Sequence, residues 1–182
     1  MKIAIDIGHA NHTGATGNGL EEHEIAARIG HHLAILLRTD GRDVDLIDYP
    51  TTTNSADLAQ TITAANTGGY TLGISLHTDA SDNPAARGAH VCFYPGSVPG
   101  ARLALCIAQP LCHLLPGRAN SIIARPGLAI LKKTQSPWAL VECGFITNPS
   151  DAAIMRDTPQ LISQHIATGI LNYINLEQQH NK

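Results

Sequence analysis

No stretch of this 182-residue chain approaches the roughly 18 consecutive apolar residues that a membrane span requires, so membrane insertion is not expected. The opening, MKIAIDIGHA, has one lysine and only a short apolar run before Asp6. It reads as a strand and not as a signal peptide, and the expected place of synthesis and storage is the cytoplasm. Charge of either sign is sparse. Twelve Lys and Arg against fifteen Asp and Glu give a net charge of -3 with no block of one sign, which leaves no electrostatic footprint for nucleic acid. The four cysteines, at 92, 106, 112 and 143, include no C-x-x-C pair. That spacing excludes a zinc ribbon and a dense disulfide framework, and buried free thiols are expected. His23-Glu24 opens like a zincin H-E-x-x-H, but Ala27 stands where the second histidine belongs. The loop from Gly14 to Gly19 lacks the Lys-Ser/Thr ending of a phosphate-binding loop. There is no internal repeat and no low-complexity linker. One domain over residues 1–176 is expected, followed by a short polar tail at 177–182, with no room for a second module.

What is present alternates between strand-like and helix-like runs. Lys2 to Ile7, Asp43 to Ile47, Tyr70 to Leu76, Ala89 to Tyr94, Ala129 to Leu131 and Trp138 to Glu142 read as six strands. Leu20 to Leu37 sets Ile25, Ile29, Leu33 and Leu36 on one helical face. Asp57 to Ala65 reads as a second helix, with Ser55 available to cap it. Pro99 to Leu115 reads as a third, which Pro110 should kink or end early. Thr158-Pro159 is a cap-and-first-turn pair for a last helix carrying Ile162, Ile166 and Ile170. The expected fold is α/β: a three-layer single domain with a twisted, mostly parallel six-stranded sheet flanked by helices.

Ten histidines are many for this length and make a metal worth seeking. In open α/β sheets, sites gather beyond the carboxyl ends of the strands. Three expected strands end in residues able to bind metal or move a proton: His9 after Gly8, His77 after Leu76, and Glu142 after Val141. Glu22, at the head of the first helix, is a fourth. Two imidazoles and a carboxylate form the ligand set of a catalytic zinc ion with one open position, and a separate carboxylate can carry the proton. Spacing alone does not select these residues. A strand-end histidine can simply be solvated, and Glu21, Glu22 and Glu24 all suit a helix start. Glu142 is the exception, because it follows Trp138-Ala139-Leu140-Val141, where an idle charge would be costly to bury.

Four phrases occur in order: Asp6-Ile7-Gly8-His9; Gly17-Asn18-Gly19-Leu20-Glu21-Glu22; Ile74-Ser75-Leu76-His77-Thr78-Asp79-Ala80; and Leu140-Val141-Glu142-Cys143-Gly144-Phe145-Ile146-Thr147-Asn148-Pro149. Together they resemble the zinc-dependent N-acetylmuramoyl-L-alanine amidases of phage endolysins and bacterial cell-wall hydrolases, from Lys2 to about Ile174. The resemblance implies one zinc ion per chain, held by His9, Glu22 and His77, with Glu142 as the catalytic glutamate. It selects Glu22 from its acidic neighbours because the family's ligand stands three residues after the glycine matched by Gly19. Asp79 is a candidate for supporting a ligand from behind, a solvated loop aspartate being the alternative. Two departures bear on substrate preference. Ala10-Asn11 replaces the usual pair of glycines after the first histidine, and an uncharged residue near Thr61 replaces an arginine common in the family.

The implied reaction is hydrolysis of the amide between the lactyl group of N-acetylmuramic acid and the L-alanine of the stem peptide. The expected partners are therefore the peptidoglycan stem peptide and muramic acid, and the setting is a phage or prophage lysin acting on the wall after release. A zinc peptidase cutting another wall-peptide amide and an inactive wall-peptide binding domain are the alternatives. The remaining histidines, His12, His31, His32, His90, His113, His165 and His180, are assigned to packing or solvent. Cys143 should point away from Glu142 across the sheet, which argues against a catalytic thiol.

Overall fold

The computed structural model describes residues 1–180. Aliphatic residues carry the first strand, β1 (Lys2–Ile7), and Ile3 through Ile7 are all buried, as in a strand covered on both faces. A two-rung hairpin follows, β2 (Thr16–Gly17) with β3 (Leu20–Glu21), and leads directly into α1 (Glu22–Thr39). The chain continues through β4 (Asp43–Ile47), α2 (Asn54–Thr67), β5 (Leu72–Asp79), β6 (His90–Phe93) and α3 (Val98–Leu114). It ends through β7 (Ile122–Ala124), α4 (Ala129–Lys133), β8 (Trp138–Phe145), α5 (Pro149–Asp157) and α6 (Pro159–His180).

Six strands form one sheet in the order β4-β1-β5-β8-β6-β7, and every neighbouring pair is parallel except β6 with β8. Alternation along the strands divides the core. Ile3, Ile5, Ile7, Ile74 and Val141 face α1, α3 and α6, with Ile29, Leu33, Ile107, Ile166 and Ile170 among the helical partners. Ala4, Trp138 and Leu140 face the other way, against Ala65, Ile130 and Leu131 of α2 and α4. The three-layer, mostly parallel architecture expected from the sequence is the one observed.

Several local expectations differ. Ala129 to Leu131 is helical, not a strand: three apolar residues do not define a period, and α4 buries Ile130 and Leu131 side by side. The sixth strand is β7, an edge strand that pairs in parallel with β6. Helix α2 is capped by Thr53, whose hydroxyl accepts from the amide of Ala56, and not by Ser55. Helix α3 runs unbroken through Pro110, which stands five residues before its C-cap, Leu115. Packing sustains it, since Leu103, Ile107 and Leu111 are fully buried. Helix α5 adds to the expected elements, and its Asn148-Pro149 is the same signature as Thr158-Pro159. Asn148 caps it, accepting from the amides of Ser150 and Asp151. The Thr158 hydroxyl instead turns back to the carbonyl of Ile154. Helix α6 continues to His180, past the start of the expected tail.

For the site, the consequence of this topology is simple. β1, β5 and β8 are adjacent and parallel, so their carboxyl ends lie side by side at one edge of the sheet.

Candidate active site

His9, just past β1, His77 near the end of β5, and Glu22, the first residue of α1, come together there. One donor atom from each lies within 4.8 Å of the others. His9 Nε2 is 3.3 Å from Glu22 Oε2, and His77 Nδ1 is 3.1 Å from Glu22 Oε1. Glu22 is 3% exposed, yet its carboxylate is held: Oε2 accepts from the amide of Ala15 at 2.7 Å and Oε1 from that of Thr78 at 2.9 Å. Burial opposes its ionisation, but hydrogen bonds from His77 and His9 outweigh that and hold the carboxyl well below its usual range. Burial likewise disfavours the charged form of His77, and Glu22 and Glu142 reverse the effect and raise it.

The glycine before His9 is a requirement of close approach. A Cβ on Gly8 would stand 2.4 Å from His77 Cε1 and 2.5 Å from the Leu76 carbonyl. His9 itself adopts a left-handed φ of 64°, which is uncommon for a residue with a side chain. Asn54, at the start of α2, secures it. Asn54 Oδ1 receives His9 Nδ1 at 3.3 Å, the amide of Ala10 at 3.2 Å and the hydroxyl of Thr13. At Ala10-Asn11 the loop turns inward, with Ala10 fully buried and the amide of Asn11 bonded to the Pro50 carbonyl.

Behind His77 runs a second chain of contacts. His77 Nε2 lies 3.2 Å from Ser75 Oγ, whose hydroxyl donates to Asp6 Oδ2 at 2.5 Å. With that proton given to Asp6, the serine oxygen accepts from Nε2–H. Once a metal replaces the proton shared with Glu22, the Nδ1 lone pair would face that metal. With Nδ1 of His9 bonded to Asn54, its Nε2 also faces Glu22. Two imidazole nitrogens and a carboxylate aimed at one point call for positive charge between them, and second partners of this kind orient metal-binding histidines. The residues present therefore fit a zinc ion of the three-ligand type. Neither Asn54 nor Ser75 stood out in the sequence. Among the described residues, Asp79 makes no hydrogen bond to His9, Glu22 or His77. Its carboxylate bonds its neighbour's amide, Ala80, and lies 3.8 Å from His90.

Glu142 pairs in register with His77 on one side and with His90 on the other. Its Oε2 is buried without a hydrogen-bond partner, and burial pushes the carboxyl up to about 7. His90 is 3% exposed. Burial, together with Arg118 and Arg125, lowers it to about 4, so it stays neutral. His90 is thus a neighbour of the site that a sequence without a partner phrase did not reveal; only the antiparallel pairing with β8 brings it there. Cys143 points to the opposite face, fully buried, and burial raises its thiol, as expected of a structural cysteine. All four cysteines are free. His12 meets Glu21, His23 meets Asp48, and the exposed His31 bonds the Ala27 carbonyl.

Under the two histidines a cavity of about 190 Å³ opens between α2, α4 and the sheet. It is lined by Asp6, Asp57, Leu58, Thr61, Ser75 and Ile130 besides His9, Asn54 and His77. Burial, then the nearby charges of Asp6 and Asp48, push Asp57 up to about 6.

A parallel sheet that converges two imidazoles and a carboxylate beside a second, unpaired carboxylate defines a candidate metal-dependent hydrolase. The chain belongs to the N-acetylmuramoyl-L-alanine amidase family, which matches residues 3–172, and it is accordingly an enzyme that hydrolyses peptidoglycan. N-acetylmuramoyl-L-alanine amidase CwlM of Bacillus licheniformis is 26% identical over 98% of this chain and 70% of its own length. The germination-specific N-acetylmuramoyl-L-alanine amidase of Bacillus subtilis is 28% identical, with 94% and 78% covered. The CwlD amidase from Clostridioides difficile, solved with the GerS lipoprotein, shares the fold at a TM-score of 0.89 and 21% identity, covering 96% of this chain and 98% of that one. The catalytic domain of the CD27L endolysin targeting Clostridia Difficile matches at a TM-score of 0.85 and 29% identity, covering 94% and 97%.

Proposed function

We propose that this amidase cuts the bond between the muramic lactyl group and L-alanine with one zinc ion held by His9, Glu22 and His77, and with Glu142 moving the proton. The observation that carries the reading is the meeting of the three donor atoms within 4.8 Å, next to a carboxylate whose buried Oε2 has no partner. Zinc in that position supplies Lewis-acid polarisation of the scissile carbonyl and acidifies water. Glu142 takes a proton from the attacking water as the new C–O bond forms. It returns that proton to the alanine nitrogen as the C–N bond breaks, leaving a lactyl carboxylate and a free amino end. A buried carboxylate oxygen free of protein partners is placed to take that proton and return it. Glu22 keeps its charge, and Asn54 and Ser75 keep each imidazole turned the right way.

The test is chemical. Zinc-loaded protein is incubated with peptidoglycan and the new ends are identified. Free L-alanine amino groups that disappear with a chelator and with Glu142→Gln support the reading. New ends between amino acids of the stem peptide would sink it in favour of a peptidase, and wall binding without cleavage would favour a binding domain. A phage or prophage lysin is the finer reading of the setting, supported by the likeness to an endolysin catalytic domain. Autolysis within a bacterium is the second, favoured by relatives that are Bacillus amidases. Deleting the gene from a lysogen and timing lysis after induction distinguishes the two.

A further inference from the structure

The cavity under the histidines contains chemistry that amide hydrolysis does not use. Asp6 and Asp57 both line it, and each is only 5% exposed. Asp6 is served by two neutral hydroxyls, Ser75 at 2.5 Å and Thr61 at 3.2 Å. Asp57 is less well served, since its buried Oδ1 has no hydrogen-bond partner. No lysine or arginine lines the cavity. Buried carboxylates are ordinarily paired or hydrogen-bonded, and this one has an oxygen left without either.

A second metal ion would find few ligands here. Among the described residues, His9, Glu22 and His77 form the one group of three or more such donors close enough to share an ion. The walls also argue for something longer than an ion. Leu58 and Ile130 face the same space, and apolar walls beside buried carboxylates suit a cation carried on methylenes. We propose that this cavity binds an alkylammonium or alkylguanidinium group, its head on Asp57 and Asp6 and its methylenes against Leu58 and Ile130. Thr61, near which the family's common arginine is missing, lines the cavity without a charge of its own. Two sources share this chemistry: a free amine, and the amino-bearing side chain of a wall peptide. The binding needs no turnover, so its failure and failure of the zinc-amidase reading are separately visible.

The test is a titration of the zinc-loaded full chain followed by amide chemical shifts. The probes are n-butylammonium, 1-butanol as its neutral counterpart, a lysine-containing stem tripeptide, and the same tripeptide acetylated on its ε-amino group. The expected result is saturable shifts at residues 54–61 and Ser75, about tenfold tighter for the cation than for butanol, as charge-assisted bonding provides. Asp57→Asn should weaken binding about tenfold. Thr61→Arg should abolish it by placing a guanidinium of the protein's own in the cavity. Tighter binding of the unmodified tripeptide than of butylammonium, lost on acetylation, identifies the wall peptide as the source; the reverse order identifies a free amine. Equal binding of butanol and butylammonium, or cation binding unchanged in Asp57→Asn, overturns the proposal.

Discussion

Asn54 Oδ1 lies 3.3 Å from His9 Nδ1 across 45 residues of sequence. The same oxygen also receives the amide of Ala10 and the hydroxyl of Thr13. One side chain therefore fixes the orientation of an imidazole and the path of the loop that carries it. Asn54→Ala removes all three contacts. Zinc affinity, measured by competition with a chelating dye, should fall about 10–100-fold, the usual cost of losing a metal ligand's supporting partner. Unaltered affinity would mean that the loop holds His9 unaided.

Ser75 acts on the other histidine. Ser75→Ala breaks the relay from His77 Nε2 to Asp6 and leaves Asp6 with the Thr61 hydroxyl. The same dye competition should show a loss of about 10–100-fold. Ser75→Thr, which keeps a hydroxyl, should recover most of it.

Glu142 makes the metal-free protein sensitive to pH in a defined direction. Its carboxyl rises from 4.5 to about 7 because it is buried, so the folded state holds the proton more tightly than the unfolded chain. Below about 4.5 both states are protonated and the group adds no pH dependence. Between about 4.5 and 7 the unfolded chain releases its proton first, so stability falls as pH rises, and above about 7 the penalty is constant. Glu142→Gln should remove that fall. At pH 8 the metal-free variant should be more stable than the parent by about 1–3 kcal/mol in urea unfolding, with the difference vanishing near pH 4. A variant less stable at pH 8 would contradict the assignment.

Gly8 is predicted to tolerate no side chain. With a Cβ 2.4 Å from the His77 ring and 2.5 Å from a backbone oxygen, Gly8→Ala has to push β5 or the imidazole aside. Destabilisation of about 1–3 kcal/mol, as for overpacking elsewhere, should accompany loss of zinc binding. Hydrolysis should fall by a larger factor than stability explains. An alanine variant with the parent's zinc affinity would show that the two strand ends can separate without cost.

Much of this could be read without coordinates. Alternation and apolar runs gave β1 and β4 to the residue, together with most of β5 and β8, because these strands are long enough to show a period. Shorter elements escaped. A three-residue apolar run at Ala129 is consistent with either periodicity, and only its docking beside α2 makes it helical. Pro110 shows the opposite limit, where burial of a whole helical face overrides a local breaker. Strand ends with ligand chemistry nominated His9, His77 and Glu142. The choice of Glu22 over Glu21 and Glu24 came from the ordered phrases and not from spacing. In the fold, Glu22 is the one bonded to both histidines, while Glu21 turns to His12.

By itself, then, the sequence determined the fold class and nominated the groups proposed to hold a metal and move a proton, because apolar runs and ordered phrases are written in local pattern. The order of the strands decided the rest. Placing β1, β5 and β8 side by side brought together groups more than 60 residues apart. Pairing β6 antiparallel to β8 put the neutral His90 beside Glu142. Docking α2 across the sheet made Asn54 the support of His9 and left Asp57 buried without a partner. No local pattern encodes these relationships, because each is a contact between elements whose separation along the chain carries no signal of their distance in space.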